Sequence, residues 1–333
     1  MINQGFTFAV APMMDWTDRH CRVFHRMLTK RAFLYTEMVV ADAVIHGDRP
    51  YLIGYNECEH PVALQIGGSD PHKLAEASTI GAGFGYDEIN LNVGCPSDRV
   101  QSGQFGASLM ANPKLVADCF TAMQNAVDIP VTIKCRIGID DQETHNTLPH
   151  FIETVSGVGC EHFIIHARKA WLDGLSPKDN RTVPPLDYDL VREMKSQYPR
   201  LSISLNGGLE TLAQAQEVSQ GLDGVMFGRA AYHNPWILSR VDGEIYGEKP
   251  QTISRDEIVM NLIDYAKTME IKHPSTKALV RHVMGLYHGE TGARIWRRAL
   301  SEADASLPPS QKIKLAFAAI KSVQESHEIL RED

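Results

Sequence analysis

The stretch from residue 112 to residue 136, NPKLVADCFTAMQNAVDIPVTIKCR, holds one helix and one strand in series. Asn112-Pro113 is a helix-starting signal, and the apolar residues after it recur at helical spacing. Val131–Arg136 is a short, largely apolar run with β-branched residues, which is typical of a buried strand. We therefore predict a helix over residues 112–127 that leads into a strand.

The same alternation of strand and helix recurs from the N-terminus to about residue 230, and it predicts an α/β fold of the (β/α)8 TIM-barrel type. A doubly wound open sheet alternates in the same way, but it carries a GxGxxG fingerprint after its first strand. Ala11-Pro12-Met13 stands there instead, so the closed barrel is favoured. The eight predicted strands cover residues 6–11, 34–38, 62–66, 88–92, 131–136, 162–166, 202–206 and 224–227.

After Gly247 the pattern contains helices only, which predicts a small helical bundle behind the barrel. Breaks are expected at Pro250, Pro274, Gly289 and the Pro308-Pro309 pair. We place the domain boundary between residues 243 and 244. The four predicted helices cover residues 254–272, 276–287, 293–300 and 310–329.

The composition is that of an ordinary globular protein, with 333 residues of which 43% are apolar. No run approaches the roughly 18 consecutive apolar residues of a membrane span, and the N-terminus lacks the features of a secretory signal. Six cysteines form no CxxC pair and have no histidine at metal-ligand spacing, so we expect neither a metal site nor disulfides. These properties predict a cytoplasmic protein without a membrane segment.

The charge is unevenly distributed along the chain. A formal net charge of −8 argues against a polyanionic partner, yet residues 267–298 contain seven basic and two acidic residues. Because phosphates respond to local charge, this positive stretch keeps a nucleic-acid partner open.

Polar side chains stand where the predicted strands end. In TIM barrels the active site lies at these C-terminal ends, so the set indicates a site even though any single member could simply meet water. Strand periodicity also turns Asn90 and Asn92 toward one face. The set comprises Met13, Glu37, Gln65, Asn90, Asn92, Lys134, Arg136, His166, Asn206 and Gly228-Arg229.

Two loops in this set have the composition of a phosphate site. Asn206-Gly207-Gly208 and Gly228-Arg229 follow the last two strands, where glycines let backbone N–H groups approach an anion and Arg229 can neutralise it. A lone Gly-Gly is usually only a turn, but two such loops at this place predict a phosphorylated cofactor. Lys134 can oppose negative charge on a reduced flavin, although a lysine at a strand end can also be merely a surface residue.

Cys95 is the most informative cysteine. Gly94 permits a sharp turn after the strand at residues 88–92, and Pro96 fixes the chain that leaves the cysteine. Most cysteines are small buried apolar residues, but packing alone does not require a thiol in such a loop. A thiol with an ordinary pKa near 8.5 is mostly protonated at neutral pH, which favours a general acid.

The sequence resembles the tRNA-dihydrouridine synthases over essentially its whole length. Ala11–Asp18, Leu64-Gln65, Asn90–Pro96, Asn206–Gly208 and Gly228-Arg229 all look like motifs of that family. Residues 16–22, WTDRHCR, and residues 97–101, SDRVQ, look like its A subfamily, which modifies positions 20 and 20a of the tRNA D-loop.

The resemblance implies a flavin enzyme with two substrates. NADPH would reduce FMN, Cys95 would donate a proton to the uridine, and Asn92 would reach the uracil. The residues implied to hold FMN are Pro12, Met13, Met14, Gln65, Lys134, His166, Asn206, Gly207, Gly208, Gly228 and Arg229.

The resemblance also implies how tRNA is bound. Lys178 with Arg181, and Arg294 with Arg297, match basic pairs that help to define how the tRNA lies. Residues 1–243 would then be the FMN-binding catalytic domain and residues 244–333 the tRNA-binding domain. A charged helix face is otherwise most often only solvated. We predict tRNA as the partner and no stable protein partner.

Two other functions stay open at this point. A flavin barrel similar to dihydroorotate dehydrogenase would act on a free pyrimidine and would not need the basic helical segment. A catalytically silent tRNA-binding protein would not need Cys95, Lys134 and His166.

Overall fold

The computed structural model describes residues 5–97, 103–249, 253–272 and 277–332. The breaks predicted at Pro250 and Pro274, and residues 98–101 of the subfamily motif, lie outside these ranges. Within them, no helix combines the length and apolarity that crossing a membrane requires.

The strands form a parallel ring, as predicted for a TIM barrel. Along the ring the order is β1, β9, β8, β7, β6, β5, β4 and β2, and β3 also pairs with β4. Phe33 closes the ring, since its N–H donates to Phe8 O at 2.8 Å and its carbonyl accepts from Val10 N at 2.9 Å. The strands are β1 (Thr7–Val10), β2 (Leu34–Tyr35), β3 (Val39–Val40), β4 (Val62–Gly67), β5 (Glu88–Val93), β6 (Val131–Arg136), β7 (His162–His166), β8 (Ser202–Asn206) and β9 (Gly224–Phe227).

The second predicted strand is wrong in its extent, because the structure divides residues 34–38 and continues past them. Thr36 causes the interruption. Its hydroxyl accepts a hydrogen bond from Gln65 N at 3.0 Å, in the place of a backbone carbonyl, and donates to Glu37 O at 2.7 Å. Pairing with β4 resumes only at Val39.

The α-helices follow the strands and continue after the barrel. They are α1 (Arg19–Leu28), α2 (Ala41–His46), α3 (Arg49–Leu52), α4 (Pro71–Phe84), α5 (Pro113–Asn125), α6 (Thr144–Ser156), α7 (Tyr188–Gln197), α8 (Leu212–Val218), α9 (Arg229–His233), α10 (Val241–Glu244), α11 (Arg255–Lys272), α12 (Leu279–His282), α13 (Ala293–Glu302) and α14 (Pro309–Glu332). Asn112 caps α5 by accepting from Leu115 N, as its Asn-Pro signal predicts.

The helix predicted over residues 276–287 is much shorter in the structure. After α12 the chain tightens into a 3-10 turn at Val283–Gly285. The Val283 carbonyl accepts from Leu286 N at 3.1 Å and from Trp296 Nε1 at 3.0 Å, so it is satisfied without an α-helical partner.

The described chain forms two compact units. One comprises the residues up to Asp15 together with Phe33–Gly228, and the other comprises Trp16–Ala32 together with the chain from Arg229 onward. Helix α1 belongs to the second unit, where Thr29 Oγ1 and Lys30 N both donate to the Asp242 carboxylate. The division predicted at residues 243 and 244, between a catalytic and a tRNA-binding domain, stays a prediction.

Candidate active site

The strand register brings predicted site residues side by side at the C-terminal ends of the barrel strands. Asn92 of β5 pairs with Lys134 of β6. Arg136, His166 and Asn206 lie level with one another across β6, β7 and β8. Residues more than 100 positions apart in sequence therefore share one edge, which is the edge that carries the active site in TIM barrels.

The backbone of Cys95 is held on both sides. Asn92 Oδ1 accepts from Gly94 N at 3.1 Å and from Cys95 N at 2.9 Å. Ala107 N donates to Cys95 O at 2.9 Å. The Cys95 thiol is partly exposed and lies 3.5 Å from Ser97 Oγ, whereas four of the other five cysteines are buried and Cys58 is exposed away from any strand end. Cys95 is thus a fixed, reachable thiol at the barrel mouth.

The mouth of the barrel is strongly cationic. Burial, together with a smaller effect of the neighbouring Arg136, lowers the pKa of Lys134 to about 8. Lys134 makes no hydrogen bond or ion pair with the residues that the structure describes. An ammonium that is partly buried and unneutralised in this way suits an anionic ligand.

His166 is kept neutral by the same surroundings. Its pKa lies well below the usual value, first because of burial and then because of Arg136, Lys134, Arg168 and Arg181. Its Nδ1 is buried and has no hydrogen-bond partner among the described residues. Since a buried polar atom costs free energy unless it is paired, this nitrogen points to a bound ligand.

The two glycines after β8 adopt a backbone conformation that is unfavourable for other residues. Gly207 has φ of 110° and Gly208 has φ of 67°. A Cβ on Gly207 would lie 3.2 Å from His166 Nε2, and one on Gly208 would lie 2.5 Å from Leu186 Cδ1. Tyr188 OH donates to Gly207 O at 2.7 Å and fixes the turn.

The loops after β1 and β9 also lie at the C-terminal ends of the barrel strands. Apart from its chain neighbours, the nearest described atom to a Cβ on Gly228 would be Met13 Sδ, at 4.0 Å, so the backbone of Gly228 borders open space. Met13 and Pro12 are partly buried and Met14 is 53% exposed. Arg229 follows Gly228 directly and begins helix α9, which belongs to the second unit.

Arg136 ties the cysteine loop to the loop that carries Lys178 and Arg181. Its Nε donates to Gly94 O at 2.9 Å, and its Nη1 donates to Asn180 O at 3.0 Å and to Lys169 O at 2.9 Å. Lys178 and Arg181 are exposed on either side of the buried Asn180. The sequence indicated that Arg136 is a polar residue at the end of a strand. It did not predict that Arg136 links two loops, because its hydrogen-bond partners are distant in sequence.

The second basic pair lies on helix α13 of the second unit. Arg294 and Arg297 are exposed and form no ion pair within the part of the chain that the structure describes. Arg298 is also exposed but pairs with Glu302 at 3.4 Å. Trp296 on the opposite side of the helix is fully buried. The role of these arginines in binding tRNA stays a prediction.

A parallel barrel with a thiol, amides, cations and glycine loops at its C-terminal strand ends defines a TIM-barrel enzyme whose site suits an anionic ligand. The chain belongs to the dihydrouridine synthase family, because the sequence model described as "Dihydrouridine synthase (Dus)" matches residues 9–324. This match confirms the resemblance seen in the sequence.

Similar proteins carry one common name. A tRNA-dihydrouridine(20/20a) synthase of Shewanella oneidensis is 52% identical over 321 residues, which cover 96% of each chain. The protein of that name from Vibrio vulnificus is 52% identical over 95% of this chain and 97% of its own. The one from Escherichia coli K12 is 55% identical over 89% of this chain and 86% of its own.

Proposed function

We propose that this protein reduces uridine to 5,6-dihydrouridine in the D-loop of tRNA, at positions 20 and 20a, using FMN and NADPH. The observation that carries the proposal is the partly exposed Cys95 thiol, held at the barrel mouth of a dihydrouridine synthase family member. The relatives named for positions 20 and 20a support the choice of nucleotide. Both tRNA and NADPH are cytoplasmic, so the proposed activity is cytoplasmic as well.

The residues at the mouth fit a flavin phosphate. His166 Nδ1 is buried without a described partner, Lys134 is a partly buried cation, and the Gly228 backbone borders open space that an anion can occupy. FMN carries a phosphate and, when reduced, a negatively charged ring, which are the two anionic features such donors recognise. The remaining predicted FMN contacts are Pro12, Met13, Met14, Gln65, Asn206 and Arg229.

The chemistry of this chain centres on one proton. FMN, when bound, would supply the hydride that adds to C6 of the uracil ring. Cys95 is the proposed donor of the proton that C5 must receive, because its thiol is partly exposed and held in place at the barrel mouth. Asn92 is fixed by its bonds to the Cys95 loop and to Gln65, and the second N–H of its amide is left to donate to a carbonyl oxygen of uracil.

The target nucleotide has to leave its stack to reach the barrel mouth, at a cost of a few kcal/mol. Contacts to the body of the tRNA offset this cost. Lys178 and Arg181 are exposed beside the Cys95 loop, and Arg294 and Arg297 present two further cations in the second unit. These side chains are therefore the proposed phosphate contacts.

The test compares the wild type with Cys95→Ala and a matched Cys58→Ala control. Cys95→Ala should retain FMN and its reduction by NADPH, yet form dihydrouridine about 100- to 10,000-fold more slowly, the usual contribution of general acid catalysis. Cys58→Ala should behave as the wild type. Dihydrouridine is measured in unmodified tRNA, and reduction of free uracil and orotate is measured in parallel. Activity on the free pyrimidines alone would overturn the proposal.

A further inference from the structure

Strand β5 carries three polar side chains into the barrel. Glu88, Asn90 and Asn92 alternate with Ile89 and Leu91, and all three are buried, with exposed fractions of 9%, 0% and 8%. A barrel interior is normally filled by apolar side chains, so three buried polar groups on one strand must satisfy one another.

The upper part of this row begins at the cysteine loop. Cys95 N donates to Asn92 Oδ1 at 2.9 Å, and Asn92 Nδ2 donates to Gln65 Oε1 at 2.8 Å. Gln65 Nε2 then donates to Asn90 Oδ1 at 2.7 Å. Each amide accepts from the group above it and donates to the group below it.

The lower part continues in the same sense. Asn90 Nδ2 donates to Thr132 Oγ1 at 2.7 Å, and the Thr132 hydroxyl donates to Glu88 Oε1 at 2.6 Å. We call the five side chains of Asn92, Gln65, Asn90, Thr132 and Glu88 the polar chain. It runs from the backbone of the catalytic cysteine to a single carboxylate without a change of direction.

The direction follows from the two ends. A backbone N–H can only donate, and Glu88 Oε1 accepts from both the Thr132 and the Tyr35 hydroxyl, whereas each amide or hydroxyl between the two ends can be turned either way. The carboxylate therefore selects one orientation for Thr132, Asn90 and Gln65 in turn, and the low dielectric of the interior strengthens such an aligned series. The two ends therefore require the same orientation, and loss of the acceptor at Glu88 leaves the Asn92 amide held only by the backbone N–H groups of the Cys95 loop.

We propose that Glu88 is a positioning residue of the active site, which acts through the polar chain to fix the Asn92 amide and the Cys95 loop. Its catalytic consequence rests on the proposed reduction of uridine, but its effect on the loop does not. Glu88 lies at the start of β5 and reaches Cys95 only through the intervening side chains. It therefore orients the reacting groups without touching the substrate.

The structure offers a matched control at the same carboxylate. Tyr35 OH donates to Glu88 Oε1 at 2.6 Å, the same length as the bond from Thr132. Both donors are buried, yet Tyr35 lies off the path to Asn92. Loss of either bond costs the barrel a buried hydrogen bond, but only the loss of the bond from Thr132 breaks the polar chain.

The variants are Thr132→Val and Glu88→Leu, which interrupt the chain, and Tyr35→Phe, which does not. Thr132→Ser keeps the hydroxyl that accepts from Asn90 and donates to Glu88. Glu88→Gln keeps one side-chain oxygen as an acceptor, and one is sufficient because both bonds to Glu88 reach the single atom Oε1. Interruption should lower kcat for dihydrouridine formation by about tenfold or more while the KM for tRNA stays within about threefold. The two conservative variants and Tyr35→Phe should stay within about threefold of the wild type in both constants.

A second readout needs no turnover. The rate at which iodoacetamide alkylates Cys95 is measured by peptide mass spectrometry on the purified full chain, with exposed Cys58 as the internal reference. Thr132→Val and Glu88→Leu should change the Cys95 rate relative to Cys58 by about threefold or more, because the loop loses its fixed acceptor. Tyr35→Phe, Thr132→Ser and Glu88→Gln should leave this ratio unchanged.

The outcomes separate the two proposals. If the wild type makes no dihydrouridine but the alkylation pattern holds, the proposed function fails and the positioning role stands. If the wild type is active and Thr132→Val matches Tyr35→Phe in both readouts, the positioning role of Glu88 is wrong. Should Glu88→Leu not fold, Thr132→Val decides the question alone.

Discussion

At the scale of the residue, surroundings set what a side chain can do. Cys95 and Cys135 are the same residue type, but burial raises the pKa of Cys135 to about 12 and leaves it inert. Lys134 is the opposite case, because burial beside Arg136 brings its pKa down to about 8. A cation with such a pKa responds to a bound anion and to modest changes of pH.

Lys134→Met should weaken FMN binding by about tenfold at pH 7, because one buried charge contact is lost. In the wild type the affinity should fall as the pH rises above about 8, since Lys134 binds the anion only while it is protonated. The variant should show a flat profile between about pH 7 and 9. Quenching of FMN fluorescence by the apoprotein measures both effects.

Lys114→Met is the control for this substitution, since Lys114 is exposed on helix α5. It should bind FMN as the wild type does at every pH. Equal pH profiles for the wild type and Lys134→Met would contradict the role assigned to Lys134.

At the scale of the element, the loops that follow the strands carry the site, and their backbones are as specific as their side chains. Gly207 needs a positive φ and the absence of a Cβ beside His166. Arg136 at the end of β6 joins three loop carbonyls with one rigid guanidinium. Both features depend on geometry that no similar residue reproduces.

Gly207→Ala should strain the backbone by about 1–2 kcal/mol and also crowd His166, so FMN affinity should fall. Gly159→Ala is a matched control, because Gly159 has φ of 98° but no neighbouring atom within 4 Å of its Cβ position. Urea unfolding should show a similar loss for both variants, whereas only Gly207→Ala should bind FMN more weakly. Equal FMN affinities for the two variants would contradict the role assigned to Gly207 in FMN binding.

Arg136→Lys should lower the free energy of unfolding by about 1–3 kcal/mol, because lysine cannot reach all three buried carbonyls. The loop at Asn180 should open with it, so trypsin should cut after Lys178 and Arg181 faster than in the wild type. Peptide mass spectrometry follows the two cuts. Arg192→Lys, on helix α7, changes an arginine with a single carbonyl bond and should leave both rates unchanged.

At the scale of the whole molecule, the positive charge is concentrated in a few places that the net charge does not reveal. The chain carries a net charge of −8, yet Lys134, Arg136, Arg168 and Arg181 together perturb His166 in the barrel. Helix α13 carries Arg294 and Arg297 on its exposed side. An acidic protein with concentrated cations repels polyanions except at those places, which favours a specific nucleic-acid site over general adhesion.

Arg294→Ala combined with Arg297→Ala should weaken tRNA binding by about tenfold near physiological salt, because two phosphate contacts are lost. The slope of log affinity against log salt should become shallower by about 0.7–0.9 per contact. Filter binding across a salt series measures both, and NADPH oxidation should be spared. Arg298→Ala should have a smaller effect, since Arg298 already pairs with Glu302; an equal effect would argue against the assigned face.

Much of the fold and part of the site could be predicted from local patterns. The eight strand positions follow from apolar runs, and Asn92, Lys134, His166 and Asn206 could be placed at strand ends by counting residues. The interruption at Thr36 could not, because it depends on Gln65 N, 29 residues away. The alternation along β5 places Glu88 on the same face as Asn90 and Asn92. Its hydrogen-bonded connection to Cys95 could not be predicted, because it passes through Gln65 of β4 and Thr132 of β6.

The sequence by itself determined the barrel, the thiol at its mouth and the glycine loops, because periodicity, turns and strand ends are properties of neighbouring residues. Tertiary structure alone decided the lowered pKa values of Lys134 and His166, the direction of the polar chain and the grouping of helix α1 with the C-terminal helices. Burial and hydrogen-bond direction arise only when distant segments meet in a low-dielectric interior.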